Sequence, residues 1–127
     1  MVARVVDASA IAAVLFGEPG SGTLARHLAA SFLIAPTLID FELANVCLKK
    51  IRRQPDRREI IWSGYRLRDS IYVETVEVNH TEVLQVAERT GLTAYDASYF
   101  WLARQLGLEL VSLDKKLVDA ANTPDAG

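Results

Sequence analysis

Cysteine is almost absent from this chain: Cys47 stands alone among 127 residues. A disulfide framework is therefore excluded, and the only two histidines, His27 and His80, are far apart and have no partner at zinc-ligand spacing. Four prolines and seven glycines are too few for a collagen-like or low-complexity chain. The glycines from Gly17 to Gly22 do not form the GxxxxGK[ST] pattern and follow a helical segment, so they mark a turn rather than a phosphate loop. No apolar run approaches the length of a bilayer span; Ala10 to Phe16 is among the longest. The amino end carries one early charge, Arg4, and no basic leader with a hydrophobic stretch and cleavage site. A soluble, cytoplasmic protein without a membrane partner is the expectation. A net positive charge is missing as well: 14 basic against 16 acidic residues leave a net charge of −2, so total charge does not draw the molecule to nucleic acid.

What remains is half hydrophobic and 24% charged, a globular composition long enough for one core. A single domain over residues 1–127 is expected, fraying from about 122. Val2–Val6 reads as a buried central parallel strand, ended by Asp7, with a helix from Ala10 to Phe16 after it. A second helix from Ser21 or Thr23 to about Ser31 and a strand over 32–35 continue a strand, helix, strand alternation that favours a parallel sheet covered by helices. Helical periodicity then runs from Thr37 to Arg53, breaks at Gln54, Pro55 and Asp56, and resumes from Arg57 to Asp69. Tyr72–Val76 reads as a more solvent-facing strand. Asn79 caps a helix ending near Gly91, Thr93 opens another over Ala94–Leu106, Leu108–Leu113 is the last strand, and Lys115–Ala121 a short helix. Cys47 sits between Val46 and Leu48 in the long helix and packs as a small hydrophobe.

Against this frame four carboxylates stand out. Asp7 and Asp114 each follow a strand, Glu42 interrupts the apolar pattern of Leu38, Phe41, Leu43 and Ala44, and Asp96 opens a helix. Each has an ordinary alternative: Asp7 and Asp114 as helix caps, Asp96 as the third residue of a capping box with Thr93, Glu42 in a salt bridge to Lys49. Together, at the carboxyl edge of one parallel sheet, they form a repulsive cluster that a cation relieves. Carboxylates are hard ligands suited to Mg²⁺ or Mn²⁺, and one or two such ions acting on a phosphodiester is the chemistry they fit. Ser9, Asn45 and Ser112 lie at spacings that let them support the acids. Lys49, Lys50, Arg52 and Arg53 offer contacts to RNA or other phosphates, or form an ordinary basic helix end. Leu38, Leu48, Trp62 and Tyr65 read equally as core or as a contact surface.

The segments Asp7-Ala-Ser9, Phe41-Glu42-Leu43-Ala44-Asn45-Val46, Leu92-Thr93-Ala94-Tyr95-Asp96-Ala97 and Leu110-Val111-Ser112-Leu113-Asp114 closely resemble the PIN-domain ribonucleases, in particular VapC-type toxins of toxin–antitoxin modules. The resemblance spans essentially the whole chain in order, spacing and punctuation. It implies a three-layer α/β/α sandwich and Mg²⁺- or Mn²⁺-dependent endonucleolytic cleavage of RNA. It also implies Asp7, Glu42 and Asp96 as the metal-holding core, Asp114 as the fourth acid and Ser9 as the hydroxyl after the first aspartate. Ser112 stands where the family commonly has threonine. A homodimer is further implied, silenced by a small antitoxin protein whose carboxyl-terminal tail enters the acidic groove with a basic residue. A DNA nuclease or phosphatase using the same acids, and a noncatalytic RNA-binding or partner-binding PIN-like module, are the alternative functions.

Overall fold

The computed structural model describes residues 1–124. Strand β1 (Val2–Val6) carries Val5 and Val6, both fully buried, into the middle of the molecule. Asp7 ends it and caps α1 (Ala8–Leu15) by accepting the Ala10 N–H. That bond satisfies a donor of the first turn, so the helix starts two residues before the expected Ala10. Helix α2 (Ser21–Ala29), strand β2 (Ser31–Pro36) and helix α3 (Ile39–Arg53) follow. The helix expected over 57–69 is divided: a 3₁₀ turn at Pro55–Arg57, α4 (Arg58–Arg66), and a second 3₁₀ turn at Leu67–Ser70. Helix α4 passes so close to the end of α1 that a Cβ on Gly64 would lie 2.8 Å from the Leu15 carbonyl oxygen. Only glycine allows that approach.

Strand β3 (Val73–Val76), helices α5 (His80–Thr90) and α6 (Ala94–Leu106), strand β4 (Leu110–Val111) and helix α7 (Lys115–Asn122) complete the described chain. Asn79 and Thr93 cap α5 and α6 through their side chains, as their positions predict. The fraying expected from about 122 is only partly addressed: Asn122 closes α7, and residues 125–127 lie outside the described residues.

The four strands are ordered β3-β2-β1-β4 and all pair in parallel. The chain steps outward from β1 through β2 to β3, then crosses back to place β4 on the other side of β1. Helix α1 packs on α2 and α3, and α3 on α4, whereas α5, α6 and α7 pack in sequence, with α6 lying on β1 and β2. Two helical layers thus enclose the sheet. One contiguous core joins them, from Ile11, Ile39 and Leu43 to Tyr99, Phe100 and Leu117. The three-layer α/β/α sandwich expected from the sequence is the fold. Its strand order reverses between β1 and β4, and the carboxyl ends at such a switch point are where α/β sheets place their sites.

Strand β4 is shorter than the expected Leu108–Leu113. Leu108 gives its N–H to Ala103 at the end of α6, and Leu113 gives its N–H to the Ser9 hydroxyl. Both ends of the segment are therefore drawn off the ladder, the second toward the crevice beyond β1. Among the described residues no helix is long and apolar enough to cross a membrane.

Candidate functional site

Asp7 is the floor of that crevice, with only 4% of its surface exposed. Three donors hold it: the Ser9 hydroxyl at 2.7 Å and the Ala10 N–H at 3.1 Å on Oδ1, and the Ser112 hydroxyl at 2.5 Å on Oδ2. The two serines bind the backbone in turn, Ser9 accepting from Leu113 N–H and Ser112 from Asp114 N–H, each at 2.9 Å. The loops leaving β1 and β4 are thereby laced together. Even so, burial drives the Asp7 carboxyl above its ordinary pKa; its hydrogen bonds oppose this, and the Asp114 charge adds to it.

Glu42 stands in the first turn of α3, half-buried. Its Oε1 accepts a hydrogen bond of 2.5 Å from the Tyr99 hydroxyl on α6, a residue only 1% exposed. Burial again raises the Glu42 pKa, Tyr99 lowers it, and Asp96 and Asp7 push it up further. Tyr99 in turn is driven far above the ordinary phenol range by its own burial and by Glu42. Asp96 lies one turn before Tyr99 on α6; its pKa is raised by burial, then by Asp114 and Asp7, and lowered by Lys116. Asp114 caps α7 by accepting the Leu117 N–H at 3.2 Å. Capping and clustering are thus compatible, since Asp7 and Asp114 each do both. Among the described residues neither Oε2 of Glu42 nor the Asp96 carboxylate accepts a protein hydrogen bond, which leaves both open to a ligand.

All four acids therefore come together electrostatically, from four elements of the fold. They do not form a closed cage: among the described residues no three acid, histidine or cysteine side chains converge on one point as they stand. The donor chemistry suits a hard divalent cation, and such an open arrangement suits Mg²⁺, which keeps several waters and is held by one or two carboxylates together with substrate phosphate.

The remaining candidates are dispersed. Asn45 is exposed one turn beyond Glu42 and lines a groove of about 660 Å³ with Leu38, Phe41, Leu48 and Tyr95. Lys50 points the other way, toward Glu18 at 3.4 Å and over the Phe16 ring, while Lys49, Arg52 and Arg53 are exposed along the end of α3. Leu38 and Leu48 line the groove, whereas Trp62 and Tyr65 stack edge-on beside Asp40 and Arg66; Leu38 and Tyr65 also pack, partly buried, against the core. Cys47 is buried, as its neighbours require. His27 pairs with Glu109 at 3.2 Å, and His80 is an exposed residue at the start of α5.

Two residues at the site escape a sequence reading. Tyr99 looks like core in a helix of alternating small and aromatic residues; its signal is the three-residue spacing from Asp96, which puts both on one face. Lys116 looks like a solvated lysine two residues after Asp114. In the structure its ammonium group donates to the Gly91 carbonyl at 2.9 Å and acts on Asp96.

The model of the PIN domain family matches residues 4–122. Ribonuclease VapC3 of Pyrobaculum aerophilum is 33% identical over 124 residues, covering 91% of this chain and 92% of its own length. Ribonuclease VapC9 of Mycobacterium tuberculosis is 34% identical over 119 residues, covering 91% and 88%. Among solved structures, PAE2754 from Pyrobaculum aerophilum superimposes with a TM-score of 0.74 at 30% identity, over 95% of this chain and 87% of that one.

Proposed function

The chain belongs to the PIN-domain family, in its VapC-type branch, and from that membership and the geometry of its acids we propose that it is a metal-dependent endoribonuclease acting as the toxin of a toxin–antitoxin pair. The observation that carries this reading is the meeting of Asp7, Glu42, Asp96 and Asp114 at the switch point of the sheet, each of the first three held above its ordinary pKa by burial and by other members of the set. A fold that meets this cost without a cation gains nothing from it.

In this reading Asp7, Glu42, Asp96 and Asp114 hold one or two Mg²⁺ or Mn²⁺ ions. When bound, the metal supplies positive charge against the phosphate oxygens and lowers the pKa of water. The chain's own part is preorganisation. Ser9 and Ser112 fix both oxygens of Asp7, so the carboxylate cannot swing out to solvent. Tyr99 fixes one oxygen of Glu42 and leaves the other without a protein hydrogen bond among the described residues. Water attacks phosphorus in line, the P–O bond to the leaving nucleotide breaks, and the proton lost by the water is balanced by one gained at the leaving oxygen. Lys49, Arg52 and Arg53 contact flanking phosphates; Lys50 joins them by releasing Glu18, a partly exposed pair of small energetic worth. The partners are the RNA substrate, a small antitoxin that places a basic residue among the acids, and a second copy of the chain, all in the cytoplasm.

The test is to incubate wild-type protein and Asp96→Asn with single-stranded RNA, structured RNA, single-stranded DNA and a small phosphate ester, in Mg²⁺, Mn²⁺ or EDTA, and to map the ends. Internal cuts in RNA alone, made by wild type with metal and by neither the variant nor the EDTA sample, are expected. Cleavage of DNA or of the ester in preference to RNA gives the site to the alternative hydrolases. RNA binding indifferent to metal and to Asp7→Asn, with no cleavage, gives it to a noncatalytic module.

A further inference from the structure

Lys116 stands among the acids as a charge of the opposite sign. Asp7, Glu42 and Asp96 are pushed up by other members of the set, whereas Lys116 pulls Asp96 down. Other cations do not share this part. Lys115, closer to Asp114 in sequence, pairs with Asp119 at 2.8 Å, both largely in water. Arg4, Lys50 and Arg68 pair with Glu109, Glu18 and Asp40. Among the described residues Lys116 forms no ion pair; what holds it is a backbone oxygen.

Its ammonium group donates to the Gly91 carbonyl at 2.9 Å. Gly91 is the left-handed residue that closes α5, so the tie is made at the negative end of that helix, where a cation is favoured. The segment from Gly91 to Asp96 is short and itself pinned. Leu92 is buried and gives its N–H to the Thr90 hydroxyl at 3.3 Å, and Thr93 caps α6 by accepting the Asp96 N–H. At the other end of the tie, Lys116 lies in the first turn of α7, whose cap is Asp114 and whose Leu117 is fully buried. The charge is thus held beside Asp96 and Asp114 without resting on either. A lysine in direct contact would fill the oxygens of Asp96; one drawn back onto a carbonyl lends its charge and leaves those oxygens to a ligand. Gly91 uses one of three ammonium donors, and two remain.

We propose that Lys116 is a built-in counter-charge of the acid site, a positioning residue that weakens the hold on free divalent ions and strengthens the hold on a substrate phosphate. The proposal rests on the nuclease reading above. Clustered carboxylates attract a cation and repel a phosphate by the same field, so one fixed ammonium shifts both, in opposite directions. The site is thereby biased toward taking up metal together with RNA rather than alone.

The test compares wild type with Lys116→Met, which keeps the apolar stem and removes the charge, and Lys116→Arg, which keeps the charge, with circular dichroism to check folding. Calorimetric titration of the metal-stripped proteins with Mg²⁺, without RNA, is expected to show Lys116→Met binding roughly 3- to 10-fold more tightly than wild type. Added KCl should shrink that difference, and Lys116→Arg should stay near wild type. Binding of a fluorescent single-stranded RNA is then measured at saturating Mg²⁺ with Asp7→Asn present in every protein to prevent cleavage. Here Lys116→Met is expected to bind several-fold more weakly, and the slope of log affinity against log salt should fall by roughly 0.7, the share of one phosphate contact on a single strand. Opposite signs are the signature, because loss of a merely structural tie would loosen the Asp96 segment and weaken both. A folded Lys116→Met that binds Mg²⁺ no more tightly than wild type, or RNA no more weakly, overturns the proposal, as does Lys116→Arg behaving like Lys116→Met. If Lys116→Met does not fold, Lys116→Gln, which keeps a donor for the Gly91 carbonyl, takes its place in both measurements. Failure of the nuclease reading is separate: wild type with metal then cuts no RNA, while the calorimetric gain of Lys116→Met for Mg²⁺ persists.

Discussion

Replacing Tyr99 by phenylalanine removes one oxygen atom and leaves the ring in place, which makes it a clean probe of the site. The hydroxyl donates 2.5 Å to Oε1 of Glu42, joining α6 to α3 across the crevice. Hydrogen bonds to charged groups are worth about 1.5–3 kcal/mol net, and Glu42 is open enough for water to replace part of this one, so the lower end of about 1.5 kcal/mol applies. At roughly 2.1 cal/mol/K per residue, the 127 residues have a melting entropy near 0.27 kcal/mol/K, so Tm should fall by about 6 °C. The loss should depend on pH. The hydroxyl stabilises the ionised form of Glu42, whose pKa already lies above the ordinary value; without it the pKa rises further. The deficit is therefore largest above the raised pKa and shrinks as acid protonates Glu42. Differential scanning calorimetry of wild type, Tyr99→Phe, Glu42→Ala and the double variant across pH, without metal, measures both effects and closes a double-mutant cycle. Titration with Mg²⁺ should in addition show weaker metal-induced stabilisation in Tyr99→Phe. A variant that melts within about a degree of wild type at neutral pH, or a deficit that does not change with pH, would refute the assigned role.

Asp96→Asn should separate stability from function. The raised pKa of Asp96 means that the folded state binds its proton more tightly than the unfolded state. The associated stability is present below the ordinary carboxylate pKa and is lost as pH rises through the raised one. The metal-free variant should therefore melt higher than wild type by a margin that widens with pH, while losing Mg²⁺-induced stabilisation and cleavage; thermal melts with and without the ion check this. Ser112→Ala should weaken metal binding and slow cleavage at least about tenfold, since it frees Oδ2 of Asp7 and orphans the Asp114 N–H, whereas Ser112→Thr keeps the hydroxyl and should stay near wild type; kinetics as a function of Mg²⁺ concentration decide it. At Gly64, alanine would press its Cβ against the Leu15 carbonyl oxygen, costing about 1–3 kcal/mol in a urea melt while metal-dependent cleavage by the folded protein persists.

The fold was legible because its signals are local and repeated. A valine-rich run ended by Asp7, side-chain caps at Asn79 and Thr93, and glycines after Thr90 and Leu106 all act within a few residues, and the structure keeps them. Where the reading missed, a distant partner decided. β4 is short because its ends bond to α6 and to Ser9, and no pattern within 108–113 carries that information. The division of the 57–69 helix has a similar origin in part: Arg68 donates to Asp40 across 28 positions, and its guanidinium also binds the Ile71 carbonyl. The acids could be picked out because a charge in an apolar segment is conspicuous. Tyr99 could not, because its ring is ordinary core and only its oxygen belongs to the crevice. Among the basic residues the missing information is direction: Lys49 and Lys50 are adjacent in sequence, yet one helical step turns Lys50 toward Phe16 and Glu18.

The double duty of Asp7 and Asp114, each a helix cap and a member of the charged set, has a consequence for inheritance. Asparagine caps a helix about as well as aspartate and has nearly its shape. It differs by a single base in the codon. One point mutation thus yields a chain that folds and keeps its surfaces but has lost one of its negative charges. Cells under pressure to escape such an enzyme need not destroy it, and silent copies of this fold should be easy for evolution to make and to retain.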